Sequence, residues 1–501
     1  MLQLLTASQI READAYTIKN KPISSIDLME SASLAFVRVF QQEVPDPDTS
    51  ISIYCGTGNN GGDGLAIARL LKQSDYKHVS VRIFRLSDKE SPDFRTNLER
   101  LYLVGIPIEE ISAGNELPEE KAMVIIDALI GSGLNKMIGG PLKTLITGLN
   151  KLNKKVYAVD IPSGLPSEGP IDPDASILKA TLCISFQRPK INFFFPESAK
   201  AAERFQIVEI GLDEEYIQAQ PGTWKLIEEQ DIRRSIKQRK AFSHKGSYGH
   251  ALIIAGDTET MGAALLCADA CLHSGAGLTT ASVPDNGLSA LNSYAPEVMF
   301  LQRSELKSVS VYGKYNAIAI GPGLGKGNKS VQLFKQVLNS KGIPMVIDAD
   351  GLNILATNPD LFNRLPEKCI ICPHVKEFDR LFGQSDSWWD RVIMAVEKAK
   401  ELNIIILLKN QYTFIILPNG NILINPTGNP AMAVGGMGDV LTGMIAAFLA
   451  QGYSPEIAAM LSVYIHGRAG DEMKGMNSVP PRYITRMIPG IIHDFTYPSK
   501  G

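Results

Sequence analysis

The chain has 501 residues, too many for one ordinary domain, and its 45% hydrophobic and 21% charged residues fit a folded globular enzyme. A formal net charge of −3 argues against a dedicated nucleic-acid binder, which would usually show a strong basic stripe. No apolar run approaches the ~20 residues that span a bilayer, and Met1–Tyr16 lacks a basic start and a small-residue cleavage site, so a cytoplasmic protein with no membrane partner is expected. Cys369 and Cys372 form a C-x-x-C without a second pair at zinc spacing, and they flank Ile370–Ile371, which predicts buried thiols on a strand in a reducing compartment.

Thr6 and Ser8 can cap a helix running to about Asn20. Ser25 can cap the next, on which Met29, Ala32, Leu34, Ala35 and Val39 share a face. Strand and helix patterns then alternate: Ser50–Cys55, Leu65–Lys72, Val79–Phe84, Phe94–Val104, Met123–Ile126, Pro141–Leu149 and Val156–Val159. Short strands at Thr181–Phe186 and Phe205–Val208 follow. Such alternation predicts a parallel sheet covered by helices, with its ligand crevice beyond the strands' carboxyl ends.

Three of those strand ends carry chemistry. The first leads into Gly56, Gly58, Asn59, Asn60, Gly61, Gly62, Asp63 and Gly64; the others give Asp127 before Gly131-Ser132-Gly133, and Asp160 before Ser163-Gly164. A glycine-rich turn opening a helix is an anion site, and Gly56, Gly58 and Gly61 satisfy G-x-G-x-x-G. An ordinary dinucleotide turn also wants an acid at the end of the next strand; here Phe84-Arg85-Leu86 stands there and Asp88 comes late. Asp63, Asp127 and Asp160, each beside small flexible residues, point instead to a catalytic or cation site. Oxygen ligands from Asn60, Asp127 and Ser163 suit a hard cation and leave Asp160 free for proton chemistry.

GTGNNGGDGLAIAR, LMESA, DALIGSGL and VDIPSG, in that order, resemble the NAD(P)H-hydrate epimerase domain. The resemblance implies that Asn59, Asn60, Gly61, Gly62 and Asp63, together with Gly131, Ser132, Gly133, Leu134, Asn135, Lys136 and Met137, contact the hydrated dinucleotide. Asp160 would contact the damaged ring and move the proton as the R and S hydrates interconvert at ring carbon six. Asn60, Asp127 and Ser163 would hold potassium.

Residues 209–222 read as a link, Ile227–Arg239 as a charged, solvated helix, and Lys245–His250 as a fresh glycine-rich start. The alternation resumes with strands at Ala251–Ala255, Gly277–Val283, Ala317–Ile320, Met345–Ile347, Cys369–Cys372 and Ile404–Leu408. Their ends bring Asp257, the Gly321–Gly325 turn, Asp348, Asp350, His374 and Lys409–Thr413 into loops. Gly435, Gly436 and Gly438 precede a helix over Val440–Gln451, with Asp439 in its first turn. Free N–H groups there can hold a transferring phosphoryl group, and Asp439 can accept the proton of an attacking hydroxyl.

KGSYGHALIIAGD, GAGLTTASV, GPGLG, DADGLN, PHVKEF and GNPAMAVGGMGDVLTG resemble the ribokinase-like family, most closely its ADP- or ATP-dependent NAD(P)H-hydrate dehydratase branch. The resemblance implies that Ala263, Gly323, His374 and Asp439 contact the hydrate, and that Lys409, Asn410, Gln411, Tyr412, Thr413 and Gly438 contact ADP. Asn410 stands where the family often has glycine, and Met437 where threonine is common. The implied chemistry is phosphorylation of the hydrate's hydroxyl by ADP or ATP with Mg2+, then loss of phosphate, with Asp439 as base. Asp257, Asp348 and Asp350 are candidates to serve the metal.

The expected architecture is α/β throughout: a Rossmann-like three-layer epimerase domain over residues 1–215 and a ribokinase-like dehydratase domain over 222–501. A homo-oligomer acting on small molecules is expected. Two other readings fit part of the pattern, a ribokinase-like kinase of a vitamin alcohol and a catalytically silent nucleotide-binding regulator.

Overall fold

The computed structural model describes residues 1–85, 89–112, 119–134 and 136–497. Two compact units divide the chain: Gln3–Gly222 with Ser387–Trp389, and Thr223–Asp386 and Asp390–Gly501 with Met1–Leu2. A two-residue strand, β1 (Leu2–Gln3), opens the chain.

The first unit continues with α1 (Ala7–Asn20), α2 (Ser25–Glu43), β2 (Ile51–Cys55), α3 (Asn59–Gln73), β3 (Val79–Arg85), α4 (Pro92–Tyr102) and β4 (Ile108–Ser112). Then come β5 (Val124–Ala128), α5 (Gly140–Lys151), β6 (Lys155–Val159), β7 (Leu182–Phe186), β8 (Phe205–Val208) and α6 (Glu214–Ala219). Its seven strands form one sheet in the order β4-β3-β2-β5-β6-β7-β8, and every adjacent pair is parallel. Thr6 caps α1 through reciprocal bonds with Gln9, while Ser24 rather than Ser25 caps α2. The buried face of α2 runs through Leu28, Met29, Ala32, Phe36, Val37 and Phe40. Leu34, expected on that face, is exposed, because the two phenylalanines one turn apart set the rotation of the helix.

The glycine-rich stretch differs most from the sequence reading. It is no loop: α3 starts at Asn59, and Gly61, Gly62 and Gly64 lie inside its first turns. Interior glycines weaken a helix by about 1 kcal/mol each, so a compensating requirement must exist, and it is close approach. A Cβ on Gly56 would collide with the Leu129 carbonyl, one on Gly61 with the Gly56 carbonyl, and one on Gly64 would stand 2.7 Å from Cys55 Sγ. The helix is thereby pressed onto the ends of β2 and β5.

The second unit contributes β9 (Trp224–Leu226), α7 (Glu229–Ser235), β10 (His250–Ile254), α8 (Met261–His273), β11 (Leu278–Ser282), α9 (Leu288–Tyr294), β12 (Met299–Phe300), β13 (Ala317–Ile320) and α10 (Asn328–Val337). It goes on through β14 (Met345–Ile347), α11 (Asp350–Thr357), β15 (Ile370–Ile371), α12 (Val375–Phe382), α13 (Trp388–Leu402) and β16 (Ile405–Leu408). The last elements are β17 (Phe414–Ile416), β18 (Ile422–Ile424), α14 (Met437–Ala450), α15 (Pro455–Asp471) and α16 (Pro481–Thr496).

Its sheet runs β9-β18-β17-β16-β15-β14-β13-β10-β11-β12, with Leu2 at the β9 edge. From β12 to β16 neighbours are parallel; β16, β17 and β18 form an antiparallel meander. The charged helix expected over Ile227–Arg239 is only α7, which stops where Ile236 turns to extended backbone at a ψ of 134°. All six cysteines are free and buried, as their apolar flanks predict. Among the described residues, no helix is long and apolar enough to cross a membrane.

Helices α8 and α14 cross closely at Gly443, where an added Cβ would collide with the Cys267 carbonyl and stand 3.0 Å from Ala270 Cβ. Gly443→Ala therefore forces the two helices apart. A loss of about 1–3 kcal/mol is expected, the usual cost of overpacking a tight core, read as a lower urea midpoint at unchanged slope; an unchanged midpoint would show that the contact relaxes freely.

Candidate functional site

Each unit carries a cavity where strands end. In the first unit a cavity of about 520 Å³ lies beyond the carboxyl ends of β2, β5 and β6. Asn59, Asn60, Asp63, Gly131, Ser132, Gly133 and Asp160 are on its wall, as the sequence reading expects. Gly61 and Gly62 are not; they serve the packing of α3. Leu134 turns into an apolar cluster, Lys136 and Met137 are exposed away from the cavity, and Asn135 falls outside the described residues.

Asp160 follows β6 directly, with a positive φ of 64°. Aspartate tolerates that left-handed conformation better than most residues, and here it turns the carboxyl back over the sheet edge. Oδ1 accepts the Phe186 N–H at 3.0 Å and pairs with Lys190 Nζ at 2.6 Å. Lys190 is only 1% exposed, so its charge depends on that partner. Asp14 of α1 lines the same cavity. Burial, then the Asp160 charge, raises its carboxyl to about 6, opposed by Lys190. Asp63 is pushed well up by burial and by the charges of Asp160, Asp14 and Asp93.

Asp127 is fully buried and is absent from the cavity wall. Its Oδ1 accepts Ser163 Oγ at 2.6 Å and Leu129 N at 3.2 Å, and its Oδ2 accepts Ser163 N at 2.8 Å. Burial raises this carboxyl to about 6 against those hydrogen bonds. Ser163 Oγ also stands 3.2 Å from the Ile130 carbonyl, but its single proton serves only one acceptor. Asn60 approaches from the other side: its side chain would meet a Cβ on Gly131 at 3.1 Å, and its buried Nδ2 has no partner. Carboxylate, hydroxyl and carbonyl oxygens thus gather beside an unsatisfied amide. That donor set fits a hard cation and not zinc.

In the second unit a cavity of about 590 Å³ is lined by His374, Lys409, Asn410, Gln411, Thr413 and Gly438, all expected as ligand residues. Tyr412, Ala263, Gly323 and Asp439 do not line it. Ala263 and Gly323 meet each other instead: a Cβ on Gly323 would stand 3.0 Å from that of Ala263. His374 caps α12, its Nδ1 accepting the Glu377 N–H at 3.4 Å, while still facing the cavity.

Helix α14 starts at Met437, earlier than the sequence suggests, because Gly436 adopts a left-handed φ of 95° and caps it without a side chain. Its N-terminus therefore keeps backbone donors free. Under Gly438 lies the Asp348–Lys409 ion pair, 2.9 Å between Oδ1 and Nζ, with Thr442 Oγ1 donating to Asp348 Oδ2 at 2.9 Å. Asp350 accepts the Gly325 N–H at 2.9 Å, and the space at Gly325 is also bounded by Asp257 Oδ2. Asp439 makes no such bond. Burial, then the Asp348 charge, lifts it to about 7, opposed by Lys409.

Sequence reasoning missed Lys190, Asp14 and His466. Asp14 had a signal, since it shares helical spacing with Ile10, Ala13 and Thr17 on the packed side of α1. Lys190 sits against the apolar run Ile191–Phe195, where a lysine is out of place unless paired. His466, on α15, faces the second cavity with a buried, unpartnered Nε2; burial and Lys409 lower its pKa to about 4, so the ring is neutral.

A family model described as NAD(P)H-hydrate dehydratase matches residues 251–490, and one described as YjeF-related protein N-terminus matches residues 25–192. The bifunctional NAD(P)H-hydrate repair enzyme Nnr of Moorella thermoacetica is 34% identical over 500 residues, covering 94% of this chain and 92% of its own. The enzyme of the same name from Escherichia coli K12 is 32% identical over 471 residues, covering 93% and 88%. Among solved structures, a ribokinase-like superfamily protein from Enterococcus faecalis V583 is 29% identical with a TM-score of 0.51, covering 55% of this chain and 98% of that one.

The raised Asp439 carboxyl has a consequence for stability. Its folded pKa of about 7 lies above the ordinary 3.8, so the native state binds this proton more tightly, and stability falls as pH rises from about 4 to about 7. Asp439→Asn removes that cost. The variant is expected to melt a few degrees above wild type at pH 8 and level with it near pH 4; equal melting temperatures at both pH values would contradict the assignment.

Proposed function

The chain belongs to the bifunctional NAD(P)H-hydrate repair enzymes, and from that premise we propose how its two units divide the work. It is an enzyme that epimerises hydrated NADH and NADPH and dehydrates the S form back to the working coenzyme. A stereospecific dehydratase alone would leave the other epimer unrepaired, so the two activities complete each other.

In the first unit Asn59, Asn60, Asp63, Gly131–Gly133 and Asp160 hold the hydrate, and Asp160 exchanges a proton with it. The support is their shared cavity wall and the Lys190 pair that fixes the Asp160 carboxylate. Asn60, Asp127 and Ser163 hold potassium; turning the Asn60 amide would present Oδ1 to the ion where the unpartnered Nδ2 otherwise lies. The ion's positive charge would offset the buried Asp127 carboxylate and lock the two loops together.

In the second unit Lys409–Thr413 and Gly438 bind ADP or ATP, and Ala263, Gly323, His374 and Asp439 take the hydrate. The observation that carries this reading is a carboxylate poised near neutrality beside the uncapped start of α14. Asp439 accepts the proton of the ring hydroxyl as its oxygen attacks the terminal phosphoryl group; the N–H groups of α14 receive the charge that develops on phosphorus-bound oxygen. Loss of phosphate from carbon six, with loss of a proton from the neighbouring ring carbon, then restores the double bond. Asp257 and Asp350, on either side of Gly325, would hold Mg2+, which neutralises phosphate charge when bound. We place the reaction in the cytoplasm, where six unpaired thiols stay reduced.

Mixed hydrate epimers incubated with the protein, Mg2+ and ADP or ATP should regain the absorbance of reduced nicotinamide beyond the S fraction, with one inorganic phosphate released per ring restored. A vitamin-type kinase would leave the phosphate on its product. Asp439→Asn should slow dehydration about 100-fold or more while epimerisation continues, and full activity in that variant would remove Asp439 as the base. Wild-type dehydration should fall about tenfold per unit as pH drops below about 7, because the protonated carboxyl accepts nothing. Asp160→Asn should confine rapid recovery to the S fraction once spontaneous epimerisation is subtracted.

A further inference from the structure

The epimerase cavity holds more proton-carrying groups than one assigned aspartate. Asp160 is held through one oxygen, Oδ1, by Lys190 Nζ at 2.6 Å, the Phe186 N–H at 3.0 Å and Ser185 Oγ at 3.4 Å. Asp14 lines the same cavity from α1, half-buried, and among the described residues no hydrogen bond or ion pair engages its carboxyl. It lies outside the residues matched by the N-terminal family model, which begin at residue 25. The groups that face it are Asp160 and Lys190 beyond β6 and β7, Asp63 on α3, and Arg11 on its own helix.

Inversion at ring carbon six poses a two-sided problem. When the hydroxyl leaves one face, its oxygen must gain a proton; when water adds to the opposite face, that water must lose one. A single carboxyl on one side cannot do both without the intermediate turning over. We propose that Asp14 is the second catalytic residue of epimerisation, acting with Asp160 on a hydrate bound in the cavity that both line. This inference rests on the epimerase reading of the first unit.

The step balances as follows. The Asp14 carboxylic acid gives its proton to the hydroxyl oxygen; the C6–O bond breaks with its electron pair, releasing water and leaving a ring cation stabilised by the adjacent nitrogen. Water adds to the other face, forming a new C6–O bond, and passes a proton to the Asp160 carboxylate. The opposite inversion runs with the two carboxyls exchanged, and solvent returns the single shared proton between turnovers. Burial and the neighbouring Asp160 charge hold Asp14 at about 6, so an appreciable fraction stays protonated near neutrality. Asp63 lies deeper within α3.

The test uses the full chain without nucleotide, so that only epimerisation runs, with R and S hydrates separated chromatographically. Asp14→Asn should lower kcat about 100-fold with KM changed less than about threefold, and Asp14→Glu should restore a substantial part of the rate. Wild-type kcat should fall as pH rises past about 6, and Asp14→Asn should lose that dependence. In 18O-labelled water each catalysed inversion should place the label at carbon six. Dehydration of pure S hydrate with ADP and Mg2+ should be unchanged in both variants, which checks the second unit, and an unchanged thermal melt of both variants checks that the first has folded. Wild-type kcat in a folded Asp14→Asn overturns the proposal, as does a change in KM alone or retention of the original oxygen. A wild-type chain that does not epimerise at all would instead overturn the epimerase reading, and this proposal with it.

Discussion

Close approach of a helix start to strand ends is the constraint on which both sites depend. In the first unit Gly56, Gly61 and Gly64 have no room for a side chain, so α3 begins directly over the ends of β2 and β5. In the second, Gly436 supplies the left-handed turn that starts α14, while Gly443 lets the helix lie against α8. The two arrangements share no sequence pattern beyond glycine, yet both aim free N–H groups into a cavity. A helix held a methyl group farther away would still fold as a helix. Its first turn would no longer meet the loops that carry Asp160 and Asp348.

Beside each helix start sits a buried ion pair and an unpaired carboxyl. Lys190 pairs with Asp160 while Asp14 stands apart; Lys409 pairs with Asp348 while Asp439 stands apart. The pairing matters because an isolated buried lysine would lose its proton, whereas a lysine with a fixed partner stays charged and sets the local field. The unpaired carboxyls feel burial and the partner's negative charge before they feel the lysine, and both rise toward neutrality. The cations are near enough to hold the geometry and too fully engaged to cancel the shift.

The parts of this arrangement that were legible in sequence are those written locally. Alternating strand and helix patterns mark both sheets, acids directly after apolar runs mark Asp127, Asp160 and Asp348, and the glycine-rich stretch marks Asp63. The sequence places the onset of α3 and α14 too late because glycine argues against helix in any local scale; only the collisions at Gly61 and Gly64 explain why it is tolerated in α3. The short strands β17 and β18 were overlooked because three residues carry almost no periodic signal, and their register comes from pairing with β16. Lys190, Asp14 and His466 were missed for a different reason. Each matters through a partner or cavity assembled from distant segments, and the sequence around Asp14 reads as an ordinary helix until the ends of β5 and β6 arrive opposite it.

The difference between the two pairs follows from the chemistry asked of them. Phosphoryl transfer needs one base and a receiver of negative charge, so the second unit sets a single carboxyl near the uncapped turn of α14 and commits Asp348 to structure, tied to Lys409, Thr442 and Ala349. Inversion at carbon needs a donor and an acceptor on opposite sides, so both carboxyls of the first unit stay on the cavity wall. Asp348, filled by its donors, could not exchange a proton without breaking the pair that orders the site. Asp160 can, because Lys190 engages only one of its oxygens. One lysine–aspartate motif thus serves as a scaffold in one unit and as half of a proton relay in the other. What separates them is where the donors fall, all three on one oxygen of Asp160 but spread over both oxygens of Asp348.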